Sequence, residues 1–254
     1  MSAAATVRPA SRRSAVPALL VAALCVAALA FTWVLAALVG PTHARDATAL
    51  YDFTRLDRPS VEVLAEGLLS LLEPVFFVVW ALVLMGIALR RGRARVALAV
   101  ALVLILAPLS ADLLKPLLAH PHVEVPPLYI KSASWPSGHA SAAMALVWCA
   151  LLVAPANLRR VVALLGVVFL LAVAFSLLIL AWHMPSDVVG GYLLATLWAA
   201  LAVAGLRLAD GRAQVDQVEP APCSPGAQSG SDCVPAPSLT ARLRMNSMSD
   251  SRFR

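Results

Sequence analysis

RRVVALLGVVFLLAVAFSLLILAWHMPSD, residues 159–187, is the stretch on which the reading of the whole chain turns. After the pair Arg159-Arg160, no charged side chain occurs from Val161 to Trp182, and the sequence then changes character at His183-Met184-Pro185-Ser186-Asp187. A run of about 18 or more apolar residues is long enough to cross the hydrocarbon core of a bilayer as a helix. Blocks of the same kind recur, and spans can be drawn at approximately 15–40, 62–89, 95–118, 139–155, 161–182 and 187–208. The composition agrees: 61% of the 254 residues are hydrophobic and 13% charged, whereas a soluble domain is about half apolar and a quarter charged. The expected fold is therefore all-α, a polytopic membrane helical bundle of about six transmembrane helices. Residues 1–14 are read as a cytoplasmic N-terminus and 15–209 as the membrane domain. Residues 210–254, rich in Pro, Ser, Gly and Arg without apolar periodicity, are read as a disordered cytoplasmic tail. The apolar stretch from Ala15 to Gly40 exceeds the ~7–15 residues of a signal-peptide core, so it is read as a retained first span.

The net charge of +6 comes almost wholly from arginine, and its placement sets the orientation. Arg8, Arg12 and Arg13 precede the first span; Arg90, Arg91, Arg93 and Arg95 separate the second and third; Arg159 and Arg160 separate the fourth and fifth; Arg207 and Arg212 follow the sixth. With six spans all four clusters fall on one side, and the positive-inside bias makes that side cytoplasmic, with both termini there, in a multi-pass protein of the cell membrane. The arginines punctuate membrane boundaries and do not form a continuous surface, which argues against a nucleic-acid partner. Cys25 and Cys149 fall inside spans, while Cys223 and Cys233 fall in the tail; nothing in their spacing suggests a metal site or a disulfide framework.

The remaining reactive side chains collect on the opposite side. All five histidines, His43, His120, His122, His139 and His183, and both lysines, Lys115 and Lys131, fall at or near non-cytoplasmic span ends. In a chain so poor in these types, that bias points to a shared site. It also disfavours a transporter or channel, whose polar groups would line a path through the membrane. Three segments carry the cluster. In the first, Asp112 to His122, Lys115 sits near the apolar boundary, where an ammonium either snorkels or finds an anion. In the second, Ser134-Trp135-Pro136-Ser137-Gly138-His139, a tight turn opens a helix whose first N–H groups lack intrahelical partners and so favour phosphate. Ser137 offers a hydroxyl, Gly138 lets backbone approach closely, and His139 stands within reach of the bound group. In the third, His183 and Asp187 are four residues apart across a proline. A carboxylate on one ring nitrogen fixes the tautomer and frees the other as nucleophile or base. Asp187 is also placed to be the N-cap of the last span. Two histidines, a carboxylate, a lysine and an anion cradle suit phosphoryl transfer.

The order lysine, Pro-Ser-Gly-His, His-x-x-x-Asp resembles the three-part signature of type 2 phosphatidic acid phosphatases, bacterial acid phosphatases and vanadium haloperoxidases, over about residues 60–208. Six spans with an outward site resemble the membrane-bound lipid phosphatase branch. The resemblance implies a metal-free hydrolase without a cofactor, acting on a lipid phosphate monoester or polyprenyl diphosphate at the non-cytoplasmic face. By it His183 is the nucleophile that forms a phosphohistidine, Asp187 its orienting partner and His139 the general acid. Lys115, Ser137 and Gly138 bind phosphate, with His122 where the family has arginine. The family pattern, Lys-x6-Arg-Pro and then Ser-Arg-x5-His-x3-Asp, falls here on His122-Val123 and on Ser176-Leu177, so two family arginines are absent. Leucine donates nothing and histidine is only partly charged at neutral pH. His120, His122, Lys131, Arg45, Arg55 and Arg58 are the candidates to compensate. The alternative is a member that binds lipid phosphate without turnover. Membrane lipids are the expected partners, and the arginine and alanine bias with scarce lysine matches a GC-rich bacterial genome.

Overall fold

The computed structural model describes residues 14–119 and 133–218. The chain divides by its internal contacts after Gln214, and the features below belong to the first unit. Among the described residues all regular structure is helical: α1 Val16–Ala37, α2 Gly40–Thr54, α3 Pro59–Ser70, α4 Pro74–Arg90, α5 Ala94–Leu117, α6 Gly138–Val153, α7 Arg159–Ile179 and α8 Pro185–Val218.

Four of these helices, α1, α5, α7 and α8 over Pro185–Gly211, are long and apolar enough to cross a membrane; α3 and α4 together make a fifth, broken one. Helix α6 is apolar but has only 16 residues. The all-α membrane bundle expected from the sequence is present. The span drawn at 62–89 is not one straight helix, because α3 and α4 meet at 51° across residues 71–73. Pro74 explains the break: it has no N–H to give the preceding turn, and its ring collides with the carbonyl four residues back. The break sets Glu73, the N-cap of α4, at the end of the bundle that carries the histidines.

The segment between the first two spans also folds. Helix α2 starts after the extended Val39 with a proline in its first turn and buries His43, Ala47 and Leu50 on one face. A spacing of four and then three residues puts these three on one stripe. Ala47 and Leu50 join Leu69, Leu72, Leu177, Met184 and Val188 in one apolar cluster, so α2 lies against the bundle.

Helix α6 packs against α4, α5 and α7, with Ala140, Ser141, Ala142, Ala143 and Ala145 all buried. Without a hydrophobic drive between helices in lipid, such small side chains let backbones approach and gain dispersion contacts. Its last carbonyls are taken by arginines from two connections. Arg91 donates to Val153 O at 2.6 Å, Arg93 to Leu152 O at 3.3 Å and Arg159 to Ala154 O at 3.4 Å. Cations there complement the negative end of the helix dipole. Arg95 pairs with Asp210 at 3.5 Å and Arg207 donates to Ser14 O. The arginines of the α4–α5 and α6–α7 connections and of α8 thus lie at one end of the bundle, and the described site residues lie at the other.

Candidate active site

The turn from α7 to α8 is held by backbone. Ala181 N donates to Leu178 O and Trp182 N to Leu177 O, the paired bonds of a Schellman ending. Ala181 sits at φ 52°, in the left-handed region where glycine is usual. An alanine there costs about 1–2 kcal/mol. The reversal delivers Trp182 and His183 to the start of α8. Trp182 lies against the ring of His139, with centroids 5.6 Å apart.

Helix α8 begins at Pro185, earlier than the 187 drawn from the sequence, and this changes the structural role of Asp187. The expected N-cap assignment is incorrect. Proline occupies the first helical position, where a missing N–H costs nothing, so Asp187 falls at the third helical position. From there its Oδ2 accepts from the Met184 N–H at 3.0 Å, one half of a capping box. The same oxygen stands 3.3 Å from Nδ1 of His183. Asp187 is fully buried and the His183 side chain is 12% exposed. The Nδ1 contact leaves Nε2 as the ring nitrogen available to a ligand. Oδ1 of Asp187 is buried without a hydrogen-bond partner among the described residues.

The Pro136-Ser137-Gly138-His139 segment docks onto this turn through the backbone. Ser137 N donates to Asp187 O at 3.0 Å. Ser137 is the N-cap of α6, its hydroxyl accepting from Ala140 N at 3.3 Å, and it is fully enclosed. Ser141 hydroxyl bonds both Ser137 O and Gly191 O, at 2.9 and 3.1 Å. This closeness needs the Gly190-Gly191 pair of α8. A Cβ on Gly191 would stand 2.5 Å from Ser137 O, and one on Gly190 would stand 2.8 Å from the indole nitrogen of the buried Trp135. Gly191→Ala is therefore expected to lower stability by about 2–3 kcal/mol, as overpacking does, since backbone must move. Thermal unfolding of the purified protein measures this. Gly205→Ala, whose Cβ would meet nothing within 4 Å, is the control expected to be neutral or stabilising.

Lys115, in the last turn of α5, reaches the start of α6. Its Nζ bonds Asp112 Oδ1 at 2.7 Å, and both atoms lie 3.5 Å from where a Gly138 Cβ would be. Lys115, His183, Asp112 and Glu73 are all within electrostatic reach of His139. Of the expected site residues, Lys115, Ser137, Gly138, His139, His183 and Asp187 thus come together at one end of the bundle from three helices. His122 lies outside the described residues, as do His120 and Lys131. Leu177, where the family signature has arginine, is 0% exposed and packs in the apolar cluster beneath the site.

One participant was not marked by the motifs. Asp46 of α2 accepts from the Ser186 backbone N–H at 3.2 Å and from its hydroxyl at 2.5 Å. Burial raises the Asp46 carboxyl above its ordinary range; the Ser186 donors and His43 oppose the rise, and Asp187 adds to it. Asp46 is 140 residues from Ser186 in the chain, so no local spacing announces the pair. The Gly-Gly doublet inside an otherwise helical run was the one sequence signal of close packing near the site.

No curated protein sequence matches the chain at a significant level. Among solved structures it is similar to the crystal structure of a transmembrane PAP2-type phosphatidylglycerolphosphate phosphatase from Bacillus subtilis. That likeness has a TM-score of 0.57 at 18% identity and covers 81% of this chain and 98% of that one. At this identity it speaks for the fold, and the fold is the one that brings the three segments above to one end. The family model of the PAP2 superfamily matches residues 73–209, more than half of the chain and all three of these segments, so the chain belongs to the PAP2 superfamily.

Proposed function

We propose that this protein is an integral membrane phosphatase that hydrolyses a lipid phosphate monoester or a polyprenyl diphosphate through a phosphohistidine. The observation that carries this reading is the contact of His183 Nδ1 with the buried Asp187 carboxylate, with the N-terminus of α6 and Lys115 close by. In the proposed cycle Nε2 of His183 attacks phosphorus, the P–O bond to the lipid breaks, and His139 gives its proton to the leaving oxygen. Water then attacks phosphorus, its proton goes to His139, and the P–N electron pair returns to His183. Lys115 and the first N–H groups of α6 face the charge on the equatorial oxygens, and Gly138 leaves room for them. The arginine end is assigned to the cytoplasm by the positive-inside bias, which puts the site on the non-cytoplasmic face. A phosphatidylglycerolphosphate is a lipid phosphate monoester, so the description of the similar Bacillus protein fits the same substrate class.

Reconstituted protein should release inorganic phosphate from at least one of phosphatidate, lysophosphatidate, phosphatidylglycerolphosphate or a polyprenyl diphosphate. Vanadate should inhibit it, and His139→Ala should slow it by ~10²–10⁴-fold. Binding without turnover is a second reading, favoured by the buried leucine at position 177 where the family signature has a phosphate-gripping arginine. Saturable binding of a labelled lipid phosphate with no phosphate release would establish that reading and end the first.

A further inference from the structure

The first turn of α8 is held by two carboxylates, and only one belongs to the family signature. Asp187 caps the Met184 N–H from within the turn. Asp46 reaches in from α2 and clamps Ser186 with both oxygens, one on the backbone N–H and one on the hydroxyl. Ser186 is the second residue of α8, so its N–H is one of the four that no intrahelical carbonyl can satisfy. A carboxylate from another helix supplies the missing partner and places negative charge at the positive end of the dipole. Both bonds land between His183 and Asp187, on a five-residue turn whose proline already restricts it.

We propose that Asp46 is a positioning residue for His183, acting through Ser186, which makes α2 part of the active-site machinery. The proposal rests on the reading of His183 as nucleophile. Three further observations support it. Helix α2 has no span-like hydropathy and lies against the bundle by its His43, Ala47 and Leu50 stripe. That stripe shares the apolar cluster with Met184 and Val188, which flank the clamped residue. The Asp46 carboxylate also interacts electrostatically with Asp187, so its charge is felt at the partner of His183. With the clamp gone, α2 would still pack through its apolar face, but the His183 turn would lose the two hydrogen bonds that Asp46 makes to Ser186. A small displacement of a nucleophile from its attack position costs up to about 10²-fold in rate.

The test uses full-length protein reconstituted in vesicles, with a short-chain lipid phosphate as substrate. Asp46→Ala and Ser186→Ala are each expected to lower kcat about tenfold or more, with KM changing less than about twofold. The double variant should be no worse than the weaker single one, because both remove the same link. Asp46→Asn, which keeps one acceptor and the side-chain volume, should recover part of the loss and guards against an Ala variant that fails to fold. Wild-type kcat in both Asp46 variants, a change in KM alone, or additive losses in the double variant would overturn the proposal. A readout independent of turnover separates this from failure of the phosphatase reading. The histidine ring signals are followed by NMR against pH in wild type and in Ser186→Ala, which removes the hydroxyl half of the clamp and keeps the Asp46 charge, with His183→Asn assigning the resonance. A shifted His183 titration supports the clamp even in a protein without turnover; an unchanged one overturns it.

Discussion

His183→Asn is expected to abolish phosphate release from every lipid phosphate the protein accepts, a loss of about 10⁴-fold or more, while thermal unfolding stays near that of wild type. The asymmetry follows from where the side chain sits. The His183 ring meets the Asp187 carboxylate through Nδ1, and its other nitrogen is the proposed attacking atom. An asparagine can still place its amide near the carboxylate, so the structural contact is largely kept. It has no nitrogen able to carry a phosphoryl group, so the covalent route is closed. Rapid quench with labelled substrate adds a sharper measure: an acid-labile, base-stable protein adduct in wild type and none in the variant. Full turnover in His183→Asn would remove the phosphohistidine mechanism.

Asp187 yields the second large effect, and here the choice of replacement separates two roles. In Asp187→Asn the amide oxygen can still accept from the Met184 N–H, so stability should change little. The same oxygen faces Nδ1 of His183, so the contact is kept and what goes is the negative charge that orients the ring and favours its positive form. Replacing the carboxylate of a histidine–carboxylate pair by an amide costs about 10⁴-fold. In Asp187→Ala both functions go. The Met184 N–H is left buried without a partner, for about 1–3 kcal/mol, beside a cavity where a fully buried side chain stood. Asparagine should therefore be the stable, inactive variant and alanine the unstable, inactive one. Comparison of phosphate release with thermal unfolding of the two proteins checks this. An active Asp187→Asn enzyme would show that Asp187 serves the helix and not the histidine.

The legible parts of the sequence were those written in local spacing. The uncharged run from Val161 to Trp182 gave α7, the arginine clusters marked the end where they now bind the carbonyls of α6, and the spacing of four from His183 to Asp187 gave their contact. What was not legible depends on pairs distant in the chain or on chain breaks inside apolar blocks. Pro74 divides a block whose hydropathy reads as continuous, since hydropathy counts side chains and not missing backbone donors. Helix α2 is too polar to register as a span and too short to announce itself otherwise, yet it brings Asp46 to Ser186. The start of α8 was set two residues late because Asp187 looked like a cap; proline at the first position and a carboxylate at the third give the same residues in another register. Gly191 shows its purpose only once Ser137 O is seen 2.5 Å from the missing Cβ.

The length of α6 bears on how a substrate meets the site. Sixteen residues make a helix about 24 Å long, some 6 Å less than the ~30 Å hydrocarbon core. Its arginine-bound end is fixed at one headgroup layer by side chains that prefer water and phosphate, so the opposite end with Gly138 stops short of the other layer. The cradle is then recessed beneath the lipid surface, or the bilayer dimples to meet it, at a fraction of a kcal/mol per Å of mismatch. On the proposed reading, either arrangement would favour a phosphate delivered at the end of a hydrocarbon chain over one arriving free from solution. A lipid can sink by a few Å at little expense, whereas a soluble phosphate ester would have to shed its hydration to follow.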